Sequence, residues 1–170
     1  MGLVLKVAVA VAAIAVLAVG ASAALDRPAR TSSTTTIVDA PREQVWRVLA
    51  DFDAYPEWNP YIRRVEGRPE EGGTLDLRLE PPGGDAQDVS ASVLIFRPPR
   101  KIQWQSRLLA PGLRDLEYEV IVEPVGPNRA QVFQQARHEG LLVAFVDEEE
   151  TRAGLLALSR ALKARAESKA

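Results

Sequence analysis

His138 is the only histidine in the chain, and it is the one side chain able to act as a base near neutral pH without a large shift. It closes the run Val132 to His138, where residues alternate as in a strand, and parity places it on the same face as Val132 and Gln134. If that face is interior, His138 can abstract or relay a proton inside a cavity, aided by Tyr118 or Gln134. The chemistry would be that of a cyclase, dehydratase or hydrolase. The plainer reading is that a histidine near a strand end, with no carboxylate or nucleophile partner in view, lines a cavity or completes a hydrogen bond.

Other residue types narrow the choice. There is no cysteine, which removes disulfides, thiolate metal sites and cysteine nucleophiles, and no HExxH or similar spacing occurs, so no metal or other cofactor is expected. Lys and Arg are scattered among Asp and Glu, for a formal charge of -2, without the basic stripe of a nucleic-acid binder. Gly72-Gly73 and Gly83-Gly84 read as hairpin turns, because no Lys-Ser/Thr follows them as in a phosphate loop. Asp147 to Glu150 reads as a solvated helix start whose charges complement the dipole, with one of Glu149 or Arg152 facing inward.

Aromatic and apolar residues point to a guest of the same kind. Trp104 and Tyr118 occupy presumed inward positions of two strands and either line or fill a cavity. Trp58, beside Tyr55 and Pro56, forms a pocket wall or plugs a loop. The stretch Leu108 to Leu113, which includes Leu109, is apolar for a loop between strands, and suits a lid, a membrane contact or a flap folded on the last helix.

These residues need elements to hold them. Thr34 to Val38 is β-branched and reads as a strand, and Asp39-Ala40-Pro41 reads as a helix start with Asp39 as the cap. Val45, Trp46, Leu49 and Ala50 give a short helix one apolar face, before Asp51 to Pro56 breaks the run. From Ile62 the apolar period changes to two. Leu75, Leu77 and Leu79 are followed by Val89, Ala91, Val93 and Ile95, then by Ile102 and Trp104, and then by Leu116, Tyr118, Val120 and Val122. Turn residues separate these runs, as in an antiparallel meander. After Gly140 the pattern becomes helical, with Leu155, Leu158 and Leu162 on one stripe. The fold class is therefore α+β, a curved antiparallel sheet of six or seven strands gripping a long C-terminal helix, with two short helices after the first strand.

Residues 1–25 carry one charge, Lys6, then Val7 to Val19 without a polar residue, then Ala21-Ser22-Ala23. That is the layout of a signal peptide cleaved near Ala23 or Ala24, or of an N-terminal membrane anchor. Residues 26–33 read as a linker and residues 34–168 as one domain, exported to the cell envelope, periplasm or exterior.

Pro41-Arg42-Glu43-Gln44-Val45-Trp46 followed by Phe52 to Pro60 resembles the opening of the START-like (SRPBCC) superfamily, in its polyketide cyclase/dehydrase-like branch. Trp104, Leu109 to Leu113 and Gln134 to Leu142 are similar to the second half of that family. The resemblance implies a helix-grip fold with an apolar cavity between sheet and long helix, in a group that ranges from lipid carriers to aromatic cyclases. One departure concerns a His-x-Glu-x-Phe pattern found in bacterial relatives, whose positions here hold Gln134, Ala136 and His138, so the carboxylate is replaced by alanine. The expected function is binding or carriage of an apolar molecule (a lipid, quinone or polyketide-like compound), with Trp58, Trp104, Leu109, Tyr118, Val132, Gln134, His138 and Leu142 as binding residues. An enzyme using His138, or an envelope interaction module with a filled core, are the alternatives.

Overall fold

The computed structural model describes residues 29–81, 85–108 and 112–168, with backbone only at Leu108. The expected leader at 1–25, the start of the linker, Gly83-Gly84 and Leu109 lie outside the described residues. Among the described residues no helix is long and apolar enough to cross a membrane.

The first strand, β1, spans Ala29–Val38 and begins ahead of Thr34. Its Ser/Thr cluster has the composition of a linker, yet it pairs residue for residue with the last strand, from Ala29 opposite Glu139 to Val38 opposite Ala130. An available ladder partner satisfies the backbone and overrides the local turn preference. Residues 29–33 therefore belong to the sheet.

Helix α1 (Arg42–Ala50) follows, then a 3-10 turn (Phe52–Ala54) and the short α2 (Tyr55–Trp58). Asp39 does not cap α1. The cap position is Pro41, whose carbonyl accepts from Gln44 N at 3.0 Å and Val45 N at 3.1 Å. The Asp39 carboxylate instead accepts from Arg129 Nε at 2.9 Å, so a cross-fold ion pair claims the side chain that the local pattern assigned to the helix.

Six further strands complete the sheet: β2 (Ile62–Gly67), β3 (Thr74–Leu79), β4 (Gln87–Arg97), β5 (Lys101–Leu108), β6 (Arg114–Gly126) and β7 (Arg129–Glu139). The order across the sheet is β1-β7-β6-β5-β4-β3-β2, antiparallel throughout. The α1/α2 segment thus carries the chain from one sheet edge to the other, and the meander brings it back. Inward residues follow the expected parity through Leu75, Leu77, Ala91, Val93, Trp104, Tyr118, Val120 and Val122, all buried. The parity of β4 breaks where the register shifts between Val93 and Ile95. Beyond this bulge Phe96 turns inward against Trp46, with ring centroids 5.7 Å apart, a position that simple alternation gave to Ile95.

After Gly140 the chain makes a 3-10 turn (Val143–Phe145) before the long helix α3 (Glu148–Glu167). Asp147 caps α3, accepting from Glu149 N at 2.8 Å and Glu150 N at 3.1 Å. Helix α3 packs on β1, β7 and α1. Its stripe of Leu155, Leu158 and Leu162 is buried in the common core, each side chain contributing about 1.5–3 kcal/mol by removal from water. The sheet's inner face and this stripe cover each other, which is the helix-grip arrangement.

Candidate functional site

Sheet and helix do not close completely. A cavity of about 320 Å³ lies between the inner face of the sheet and the first half of α3. Its floor comes from strands: Leu77 from β3, Trp104 and Ser106 from β5, Leu116 and Tyr118 from β6. Leu155 and Leu158 of α3 form the opposite wall, and Gly154 lets the ring of Tyr61 lie close, because a Cβ there would stand 3.0 Å from Tyr61 Cε2. Phe145, 85% exposed, marks one rim, and Asp85 and Gln87 mark another.

Strand register decides which inward residues meet the cavity. Trp104 stands opposite Tyr118, which stands opposite Ala136, and the Trp104 and Tyr118 rings are 4.8 Å apart. One row further, Ser106 stands opposite Leu116 and Leu116 opposite His138. Both rows border the cavity. The next row inward, with Val120 opposite Gln134, belongs to packed core.

Three of the residues singled out in the sequence, Trp104, Tyr118 and His138, therefore come together on the cavity. Val132 is buried in the core and does not line it. Gln134, fully buried, accepts from Tyr118 Oη at 2.6 Å and donates from Nε2 to Ser159 Oγ at 2.8 Å, so its amide ties the sheet to α3. Leu142 is half-buried outside the cavity, where its N–H donates to Leu113 O at 2.9 Å. Trp58 packs edge-on against Tyr55 at 5.1 Å, as a plug for the α2 turn. Neither Glu149 nor Arg152 borders the cavity; Asp147 and Glu150 do.

Arg114, Ser106 and Ala136 were missed as lining residues. Parity could have found them: Arg114 shares a face with Leu116 and Tyr118, and Ser106 with Trp104. An arginine at the start of a strand ordinarily reads as solvated, and here it is half-buried on the cavity wall, next to the Gly112-Leu113 segment against which the Gly140 turn packs. Gly140 has φ +117°, and a Cβ on it would stand 2.6 Å from Leu113 O. Leu141 N donates to Gly112 O at 3.1 Å beside it, completing the tie between the end of β7 and the start of β6. Asp115, assigned by alternation to a wet face, is buried and accepts from Gly112 N at 3.2 Å, which holds the same tie from the outer side.

His138 is 6% exposed. Its pKa is lowered from 6.5 to about 4, first by burial and then by the positive charge of Arg114. The imidazole is accordingly neutral at pH 7, and its Nδ1 is buried without a hydrogen-bond partner among the described residues. The Tyr118 hydroxyl is pushed well above 10, chiefly by burial. A base whose conjugate acid titrates near 4 takes up a proton poorly at neutral pH. A neutral imidazole with a free nitrogen is well suited to hydrogen-bonding a guest. Among the described residues no His, Asp and Glu cluster is arranged to hold a metal ion.

Residues 29–167 match the sequence pattern of the family described as polyketide cyclase / dehydrase and lipid transport. In fold the chain is similar to a START superfamily protein from Mycobacterium smegmatis, with 22% identity and a TM-score of 0.68 over 82% of this chain and 99% of that one. It is also similar to the Zhui aromatase/cyclase from Streptomyces sp. R1128, with 22% identity and a TM-score of 0.62 over 84% and 96%. Norcoclaurine synthase from Thalictrum flavum, solved with dopamine and hydroxybenzaldehyde, gives 14% identity and a TM-score of 0.67 over 86% and 91%. At such identities the likeness carries the fold and not the chemistry. No curated protein matches the sequence.

Proposed function

The chain belongs to the polyketide cyclase/dehydrase and lipid transport family, and from that premise we propose that it binds and carries a small molecule with an apolar body in the cavity between sheet and α3. The observation that carries this reading is the cavity itself: about 320 Å³ bordered by Trp104, Leu116, Leu155 and Leu158, beside the buried apolar core. That volume lies at the lower end of ligand pockets, so it suits a compact guest of one or two rings or a short acyl chain. Affinity would come from apolar area withdrawn from water at roughly 25 cal/mol per Å².

His138 supports carriage over catalysis. The reaction reading needs a base matched to neutral pH and a partner to orient it, whereas His138 is neutral, depressed to about 4, and next to a cation. Tyr118 and Gln134, its expected helpers, are committed to one another and to Ser159. The leader, with Lys6, Val7 to Val19 and Ala21-Ser22-Ala23, supports a site of action at the cell envelope, where a carrier of water-insoluble molecules has work to do.

Native mass spectrometry of the mature protein, isolated without detergent, tests the reading. A stoichiometric small molecule in the native spectrum, released on denaturation and displacing a fluorescent apolar probe, is the expected result. A folded protein that carries nothing and ignores the probe overturns it in favour of a filled interaction module.

A further inference from the structure

Two buried polar atoms on the cavity wall, Nε of Arg114 and Nδ1 of His138, have no hydrogen-bond partner among the described residues. Both residues border the same cavity. Arg114 is the first residue of β6, and Leu116, two places on, stands opposite His138, so the two side chains are diagonal neighbours on the inner face. Arg114 forms no ion pair among the described residues, although Asp85, Asp147 and Glu150 also border the cavity. A guanidinium stays charged at any pH the protein meets, and an unpaired buried donor is costly, so such a group calls for an acceptor.

We propose that the guest is an amphipathic carboxylic acid, its carboxylate taken by Arg114 and accepting a hydrogen bond from the neutral imidazole of His138, and its apolar body lying on Trp104, Leu155 and Leu158. This deepens the carrier reading and rests on it. The planar fork of arginine matches the two oxygens of a carboxylate. One cation facing three acidic residues on the cavity rim favours a single negative charge over a doubly charged phosphate. The pKa of about 4 at His138 is set first by burial and then by the nearby Arg114 charge, which a bound anion would neutralise.

The test compares 2-naphthoic acid with its methyl ester, two probes of the same body, by fluorescence titration of the mature protein. The acid should bind roughly tenfold or more tightly than the ester, the scale of one charge-assisted hydrogen-bonded pair. Arg114→Gln should abolish that preference while leaving ester affinity in place, which also shows that the variant folds. Arg114→Lys keeps the charge without the fork and should retain part of the preference. Equal binding of acid and ester to the native protein, or a preference that survives Arg114→Gln, overturns the proposal and leaves the carrier reading standing. Binding of neither probe overturns both.

Discussion

The hydroxyl of Tyr118 donates to Gln134 Oε1 across 2.6 Å, and Gln134 Nε2 continues the chain to Ser159 Oγ at 2.8 Å. All three residues are buried. The chain of hydrogen bonds joins β6 and β7 to α3 immediately behind the cavity wall, and it fixes the Tyr118 ring that forms part of that wall against Trp104. Gln134 thus acts on the site without bordering it.

Replacing Gln134 by Leu keeps the volume and strands two hydroxyls in the core. Each buried group left without a partner costs about 1–3 kcal/mol, so the variant should unfold at markedly lower denaturant. Adding Tyr118→Phe and Ser159→Ala should recover part of the loss, because the stranded groups are then gone. Chemical denaturation of the single and triple variants measures this, and a triple variant weaker than the sum of its parts refutes a satisfied network.

His138 predicts a pH dependence of stability. Its pKa is about 4 in the fold and 6.5 when free. Between these values the unfolded chain takes up a proton that the folded protein refuses, so stability rises with pH across the window and falls on acidification from about 6.5 towards 4. Arg114 and Tyr118 on β6, with Tyr61, Asp85, Asp147 and Glu150 on the other walls, are the titratable or charged groups that share the cavity with His138. Denaturation midpoints at pH 5 and pH 7 should differ in the native protein and differ less in His138→Gln. Identical slopes in the two proteins would show that the imidazole is hydrated.

Gly140 tolerates no side chain. Its φ of +117° and the carbonyl of Leu113 at 2.6 Å from a would-be Cβ make Gly140→Ala strained in both backbone and contact. A loss on the order of 1–3 kcal/mol is expected. Because this turn presses on the start of β6, the variant should also weaken the preference of the cavity for the acid probe. Thermal unfolding and the paired titration read the two effects separately, and an unaltered melting temperature would exclude the tie as a support.

Ala136 offers the converse test. It borders the cavity opposite Tyr118, where a larger side chain would enter free space. Ala136→Leu should reduce probe binding severely while changing stability by less than about 1.5 kcal/mol in either direction. Retained binding with unchanged affinity would place the probe elsewhere on the protein.

Much of this architecture was legible in the residues alone. The change of apolar period at Ile62, the turn residues between runs and the stripe of Leu155, Leu158 and Leu162 are local signals, because the pleat and the helical turn repeat within a few residues. They determined the strands, the faces of Leu77, Trp104, Tyr118 and His138, and the need for the last helix to cover the sheet. What only the tertiary structure decided was depth and partnership. Val132 and His138 share one strand face, yet one is core and the other cavity wall, since α3 touches the curved sheet at one end and stands off at the other. Asp39 reads as a cap until Arg129 arrives from β7, and Arg114 reads as a solvated strand start until the sheet and α3 enclose a cavity beside it. Such outcomes depend on groups far apart in the chain meeting in space, and no local period encodes that meeting.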